Sequence, residues 1–151
     1  MIRDDIKAAL VTAMKGGDKP RTATIRLIQS AIKNRDIELR TGTAPADDDA
    51  VVMEVLQKMV KQRRESIELY EKGGRQELAD QEKAEVAVIE GFLPAQMSDS
   101  EAAAAIDSIV AETGASSAKD MGRVMAAVKE RLAGKLDMSK ASALVKARLS
   151  A

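Results

Sequence analysis

The chain divides at residues 92–101, which read Phe-Leu-Pro-Ala-Gln-Met-Ser-Asp-Ser-Glu. Pro94 cannot continue a helix, and it biases the residue before it towards an extended conformation. Ser98 and Glu101 have the spacing of a capping box, in which the two residues satisfy backbone N–H groups at the start of a helix. One helical segment therefore ends before Pro94 and another begins after Ser98. The two predicted domains are residues 1–94 and 95–151.

Outside this joint, apolar residues recur at steps of three and four rather than alternating, which is the pattern of amphipathic helices. Glycines and one loop-like stretch, residues 41–47, interrupt the pattern. The predicted fold is all-α, with an N-terminal bundle of about four helices and a small C-terminal domain of three helices. The predicted helices run from 2 to 15, from Asp18 to near Gly42, from beyond 47 to Gly73, from 75 to 93, from Ser98 to Gly114, from Ser117 to Gly134 and from 139 to 149.

The composition excludes several classes of function. Of 151 residues, 24 are Lys or Arg and 24 are Asp or Glu, so no net charge draws the whole molecule to nucleic acid or lipid. The chain has no His and no Cys, which excludes thiol and Ser–His catalysis, the usual zinc sites and disulfides. Tyr70 and Phe92 are the only aromatic residues, which argues against a protein that binds single-stranded nucleic acid by stacking its bases on aromatic rings. With no membrane-length apolar run and an acidic N-terminus, we expect a cytoplasmic protein without membrane, metal or cofactor.

Four charged side chains fall on the apolar stripes of the predicted bundle. At 100° per residue they are Arg35, Arg63, Glu82 and Glu85. A buried charge is costly unless it is paired, so equal numbers of opposite sign predict an ion network across the bundle. Two carboxylates at positions 82 and 85 would also suit a metal, but bundle sites of that kind use Glu-x-x-His. The prediction is a structural ion network, with no catalytic and no metal-binding residue.

Charge is unevenly distributed towards the C-terminus. Residues 98–118 hold four acids and no base, whereas residues 119–151 hold eight bases and three acids. In the second predicted helix, Arg26, Lys33 and Arg40 recur every seven residues opposite the apolar stripe. Both basic faces are suited to a phosphate backbone, where each contact releases a counterion. Charge alone favours the simpler reading for both, a solvated face that keeps the helix soluble.

Short segments spread in order over nearly the whole chain carry a family resemblance. They are residues 26–38, residues 59–67, Lys72-Gly-Gly-Arg75, Phe92-Leu-Pro-Ala-Gln-Met97, Met121-Gly-Arg-Val-Met125, Gly134-Lys-Leu-Asp-Met-Ser139 and residues 145–146. In these segments the chain resembles the YqeY family of GatB/YqeY domain proteins. The C-terminal part of that family is related to the tail domain of the B subunit of the tRNA-dependent amidotransferase.

The resemblance implies a helical bundle followed by a small helical domain that contacts tRNA. The residues it assigns to that contact are Lys119, Arg123, Lys135, Lys140 and Lys146. The basic stripe of the second helix lies outside the part that matches the amidotransferase tail. A label of carbon–nitrogen ligase with glutamine as amido donor would come with the family, although the residues here indicate no catalysis by this chain alone.

Three functions are therefore open from the sequence. The first is a non-catalytic tRNA-binding or tRNA-metabolism accessory protein. The second is a protein-interaction adaptor that docks a partner near Phe92 and Met97, and the third is a component of a carbon–nitrogen ligase. The expected partner is tRNA in the first case and another protein in the second.

Overall fold

The computed structural model describes residues 1–42 and 47–150, and within these two ranges the chain forms helices and turns without a strand. The all-α prediction is confirmed. The described helices are α1 (Ile2–Lys15), α2 (Lys19–Leu39), α3 (Asp48–Lys72), α4 (Gln76–Glu90), α5 (Asp99–Thr113), α6 (Met121–Leu132) and α7 (Met138–Ser150), with a 3-10 helix at Ala118–Asp120. Of the predicted loop 41–47, residues 43–46 lie outside the described part.

The chain forms two compact units, Met1–Pro94 and Ala95–Ala151. The first contains α1 to α4, and its main core is built from branched aliphatic side chains of all four helices. The largest fully buried members are Ile6, Ile25, Ile28, Val52, Leu56 and Ile89. A smaller cluster of Ile67, Ala79 and Val86 packs α3 against α4 nearer their connecting turn. Burial of these side chains is the main force holding the bundle together.

The ends of the N-terminal helices follow local chemistry. The Asp18 carboxylate accepts a hydrogen bond from the Arg21 backbone N–H at 3.1 Å and so caps α2, whose first turn contains Pro20. The structure ends α2 at Leu39 and α4 at Glu90. Both ends fall about one turn before the predicted ones. After α4, Leu93 packs against the core from beyond the end of the helix, so its place in the apolar stripe does not require a helix.

The second unit contains α5 to α7 around a separate apolar core. Its buried residues include Ile106, Ile109, Val124, Val128, Leu132, Leu136, Val145 and Leu149. The predicted capping box is present: Ser98 Oγ accepts from the Glu101 N–H at 3.2 Å, and the Glu101 carboxylate accepts from the Ser98 N–H at 3.1 Å. At the second predicted box, the Asp120 carboxylate accepts from the Ser116 and Ser117 N–H groups, but a 3-10 helix precedes α6.

Candidate nucleic-acid interface

All five side chains predicted to contact tRNA are exposed on the C-terminal unit. Lys119 lies in the 3-10 helix, Arg123 in the first turn of α6 and Lys135 in the loop between α6 and α7. Lys140 and Lys146 lie on α7. The apolar stripe of α6 explains the placement of Arg123, because Val124, Val128 and Leu132 are buried and turn that side chain outward.

The acidic helix α5 supplies carboxylates to bases of α6 and α7. Arg148 Nε lies 3.0 Å from Asp107 Oδ1, Arg131 pairs with Glu112, and Lys140 pairs with Asp99. The negative and positive segments of the sequence are therefore partly neutralised against each other within this unit. Such exposed pairs contribute little to stability, but each reduces the positive charge that its base presents to a ligand.

The five candidate bases consequently differ in their surroundings. Arg123 Nη2 lies 3.2 Å from Asp120 Oδ1, and Lys140 is engaged by Asp99. Among the described residues, Lys119, Lys135 and Lys146 make no side-chain ion pair. These three lysines are termed here the open lysines. Together with the exposed Lys129, which also makes no ion pair among the described residues, they carry positive charge that remains available to a ligand on this unit.

The first residues of the C-terminal unit hold the loop that carries one open lysine, Lys135. The Gln96 side-chain amide donates to the Gly134 carbonyl at 2.7 Å, and the Met97 N–H donates to the Lys135 carbonyl at 3.0 Å. Gly134 is buried and has a φ of +76°. Residues just after Pro94 thus hold the backbone of the α6–α7 loop. The sequence marked this segment as a helix boundary but did not indicate that it positions Lys135.

The predicted ion network is divided in the structure. Arg63 Nε lies 2.9 Å from Glu85 Oε2 across α3 and α4, and these side chains are only 16% and 18% exposed. Arg35 instead pairs with Glu38 at 3.0 Å and approaches Glu54 of α3 at 3.8 Å. The structure therefore brings two of the four residues together and places Arg35 in a separate pair.

Glu82 does not join the pair that Glu85 makes. Its Oε2 atom is buried and has no hydrogen-bond partner among the described residues. Within the same part of the chain, no group of three or more His, Cys, Asp or Glu side chains is arranged to hold a metal ion. None of its helices is both long and apolar enough to span a membrane.

The two residues of the adaptor hypothesis serve as packing residues. Phe92 is half-buried and packs against the main core of the first unit, while Met97 packs against the core of the second. Each therefore already has an intramolecular partner for its apolar surface. An interface anchor would instead present that surface to solvent before the partner arrives.

The fold and surface define a class of protein: two helical units whose surfaces bear ion pairs and, among the described residues, several exposed lysines without an ion pair. The model of the YqeY family, described as "Yqey-like protein", matches residues 3–149. The chain therefore belongs to the YqeY family, and the family resemblance seen in the sequence is confirmed.

Curated relatives include fungal proteins named "Altered inheritance of mitochondria protein 41, mitochondrial". The Eremothecium gossypii protein is 36% identical over 90 residues, which cover 60% of this chain and 48% of that protein. The Pyrenophora tritici-repentis protein is 32% identical over 132 residues, which cover 83% of this chain and 70% of that protein. The chain spans about half the length of several such relatives, with shares of 48%, 46% and 45%.

These relatives also correct one expectation. The prediction of a cytoplasmic protein is contradicted, because the relatives in question are mitochondrial proteins. The prediction used the absence of a signal peptide and of a membrane-length apolar run. Those features bear on secretion and membrane insertion, and they do not distinguish the cytoplasm from an organelle interior.

Proposed function

We propose that this chain is a non-catalytic tRNA-binding protein whose C-terminal unit contacts the phosphate backbone. The observation that supports the proposal is the set of open lysines, which are exposed and unpaired, while Asp99, Asp107 and Glu112 of α5 are engaged by other bases. The resemblance of this unit to the amidotransferase tail suggests tRNA as the ligand. Contacts of this kind position a protein on nucleic acid without reading its sequence.

The arrangement also predicts which bases matter most. Lys119, Lys135 and Lys146 can approach phosphates directly, whereas Arg123 and Lys140 must first leave Asp120 and Asp99. Each phosphate contact contributes about 0.9 to the slope of log affinity against log salt on duplex nucleic acid. We therefore expect the open lysines to dominate the salt dependence of binding.

The first experiment is a fluorescence-anisotropy titration of labelled bulk tRNA at about 50 and about 200 mM salt, where several phosphate contacts change affinity by orders of magnitude. Binding that weakens steeply at the higher salt is expected for the wild-type chain. Substitution of all three open lysines by glutamine should lower the salt slope by about 2 to 3. The matched control replaces three exposed lysines of the other unit, Lys58, Lys72 and Lys83, and should leave the slope unchanged.

A substitution with the opposite effect makes the test sharper. Asp99→Asn releases Lys140 from its partner and should raise tRNA affinity severalfold at low salt, while the melting temperature changes little because the pair is exposed. Binding that is absent at both salt concentrations, or that is equal in the open-lysine variant and its control, would overturn the proposal. Persistence of a captured protein partner at high salt would instead favour the adaptor function.

A further inference from the structure

A concave surface lies between α1 and α2 of the N-terminal unit. Two cavities, of about 150 and 340 Å³, are lined by residues of these two helices and of the turn that connects them. Lys7 and Met14 of α1 are seven residues apart, as are Arg26 and Lys33 of α2, so each pair lies on one face of its helix. Because the helices form a hairpin and the cavities share these faces, the two cavities are parts of one groove, termed here the α1–α2 groove.

The charged residues that line the α1–α2 groove are predominantly basic. Its cationic members are Arg3, Lys7, Lys19, Arg26 and Lys33, whereas Asp36 is the one acid in the two linings. Lys7, Lys19, Arg26 and Lys33 are exposed, and none makes an ion pair with the residues that the structure describes. The groove therefore concentrates positive charge that no carboxylate of the unit neutralises.

The acid of the groove is already occupied. Arg3 donates to both carboxylate oxygens of Asp36, at 2.9 and 3.1 Å, and also to Asp48 at 2.8 Å. The carboxylates that accept these hydrogen bonds, Asp48 first and Asp36 second, raise the pKa of Arg3. Arg3 thus closes one end of the groove with a charge cluster of its own and leaves the remaining cations to face solvent.

We infer that the α1–α2 groove binds an RNA phosphate backbone as a second contact surface, separate from the open lysines. Arg26 and Lys33 lie about 10 Å apart along α2, at 1.5 Å per residue, and Lys7 faces Lys33 across the groove. The groove contains no aromatic side chain, so it is suited to the backbone of RNA rather than to stacked bases.

Anionic lipid is the weaker alternative for these cations. A lipid surface is flat, and proteins that lie on it combine a basic face with apolar or aromatic anchors that insert into it. The cations here line a concavity, and Tyr70 and Phe92, the two aromatic residues of the chain, are half-buried elsewhere. The observations therefore favour a phosphodiester strand lying in the groove.

The inference extends the proposed function, since the ligand class is the same, but it depends on different residues. The test replaces Arg26 and Lys33 by glutamine in the full chain and repeats the tRNA titration at the two salt concentrations. Loss of two phosphate contacts should lower the salt slope by about 2, which reduces the affinity ratio between about 50 and 200 mM by roughly tenfold. The matched control, Lys58→Gln with Lys72→Gln, removes two charges from α3 outside the groove.

The outcomes separate this inference from the proposed function. A reduced slope in the groove variant supports the groove, and an unchanged slope in the open-lysine variant would then overturn only the C-terminal contact. A slope equal to that of the control, with a normal melting temperature, overturns the groove while leaving the C-terminal contact intact. The same groove variant is also tested on phosphatidylserine vesicles. If it loses vesicle binding but keeps its tRNA binding, the RNA assignment of the groove is overturned in favour of a lipid surface.

Discussion

The two units handle charge in different ways. In the N-terminal unit, Arg63 and Glu85 form an ion pair between α3 and α4 in which each side chain is less than one-fifth exposed, at 16% and 18%. In the C-terminal unit, Arg148 and Asp107 form a pair with an almost equal separation, but their side chains are 51% and 59% exposed. The same chemical pairing is thus placed within packed helices in one unit and in solvent in the other.

Burial, rather than distance, decides what such an ion pair contributes to the free energy of folding. A pair that has lost most of its water depends on its partner, because truncation of one member leaves an unsolvated charge. An exposed pair returns to water when it is broken and costs little. We therefore expect substitutions in the Arg63–Glu85 pair to reduce stability, and substitutions of exposed charges in either unit to leave stability nearly unchanged.

The largest effect is expected for the pair of Arg63 and Glu85. Glu85→Ala should lower the free energy of unfolding by about 2–3 kcal/mol, somewhat below the cost for a fully buried pair, because Arg63 is left without its carboxylate. Urea unfolding followed by circular dichroism measures this change.

Glu82→Ala is the matched control, because it lies one turn away on the same helix and makes no hydrogen bond through its buried Oε2. Its cost should be clearly smaller, since no partner is orphaned. Equal costs for the two substitutions would show that the packing of α4, and not the ion pair, sets the stability of this region.

A smaller effect is expected at the α6–α7 loop of the second unit. Gly134→Ala forces a side chain into the left-handed region at φ +76° and should cost about 1–2 kcal/mol. Gly122→Ala, inside α6 with open space around the added methyl group, should instead stabilise by up to about 1 kcal/mol. Thermal unfolding of both variants measures the difference between these two changes in stability. A Gly134→Ala variant that is as stable as the wild type would contradict the prediction.

The smallest effect concerns the caps of the second unit. Hydrogen bonds from the Ser98 backbone and hydroxyl lower the pKa of Glu101, and those from the Ser116 and Ser117 N–H groups lower the pKa of Asp120. Since the folded pKa lies below the unfolded one, both carboxylates stabilise the unit near neutral pH. This contribution is lost as the pH falls through the folded pKa.

Glu101→Gln should therefore melt below the wild type at pH 7, and the difference should shrink as the medium becomes acidic. Melting temperatures measured at intervals between pH 7 and pH 3 follow the change. Glu130→Gln, which alters an exposed acid of α6 away from the caps, is the control. A pH-independent difference for Glu101→Gln would exclude ionisation as its cause.

Much of the fold could be predicted because several helix boundaries depend on residues that are close together in the sequence. Asp18 with Pro20 starts α2, Ser98 with Glu101 starts α5, and Pro94 prevents a helix from crossing the joint. Each of these signals acts within about one helical turn, so a single sequence contains it. The 3-10 helix before α6 was not predicted, because the cap made by Asp120 is compatible with either a 3-10 or an α-helical first turn.

The candidate sites were less predictable, because they depend on which helices are neighbours. The helical wheel placed Arg35 beside Arg63 in one network, but α2 carries Arg35 to Glu38 and Glu54. The family resemblance treated Lys140 like Lys119, although of these two only Lys140 pairs with an acid of α5. A wheel orders the residues of one helix and contains no information about the charges on the next.

The all-α class, the capped starts of α2 and α5 and the family could be read from the sequence, because they follow from periodicity, capping chemistry and short motifs. The packing of the helices decided which charged side chains form ion pairs and which remain unpaired at the surface. It paired Arg63 with Glu85, neutralised Lys140 with Asp99, and set Lys7 beside Lys33 in one groove. The physical reason is that electrostatic partners are defined by distance and burial, which arise only when helices distant in sequence pack together.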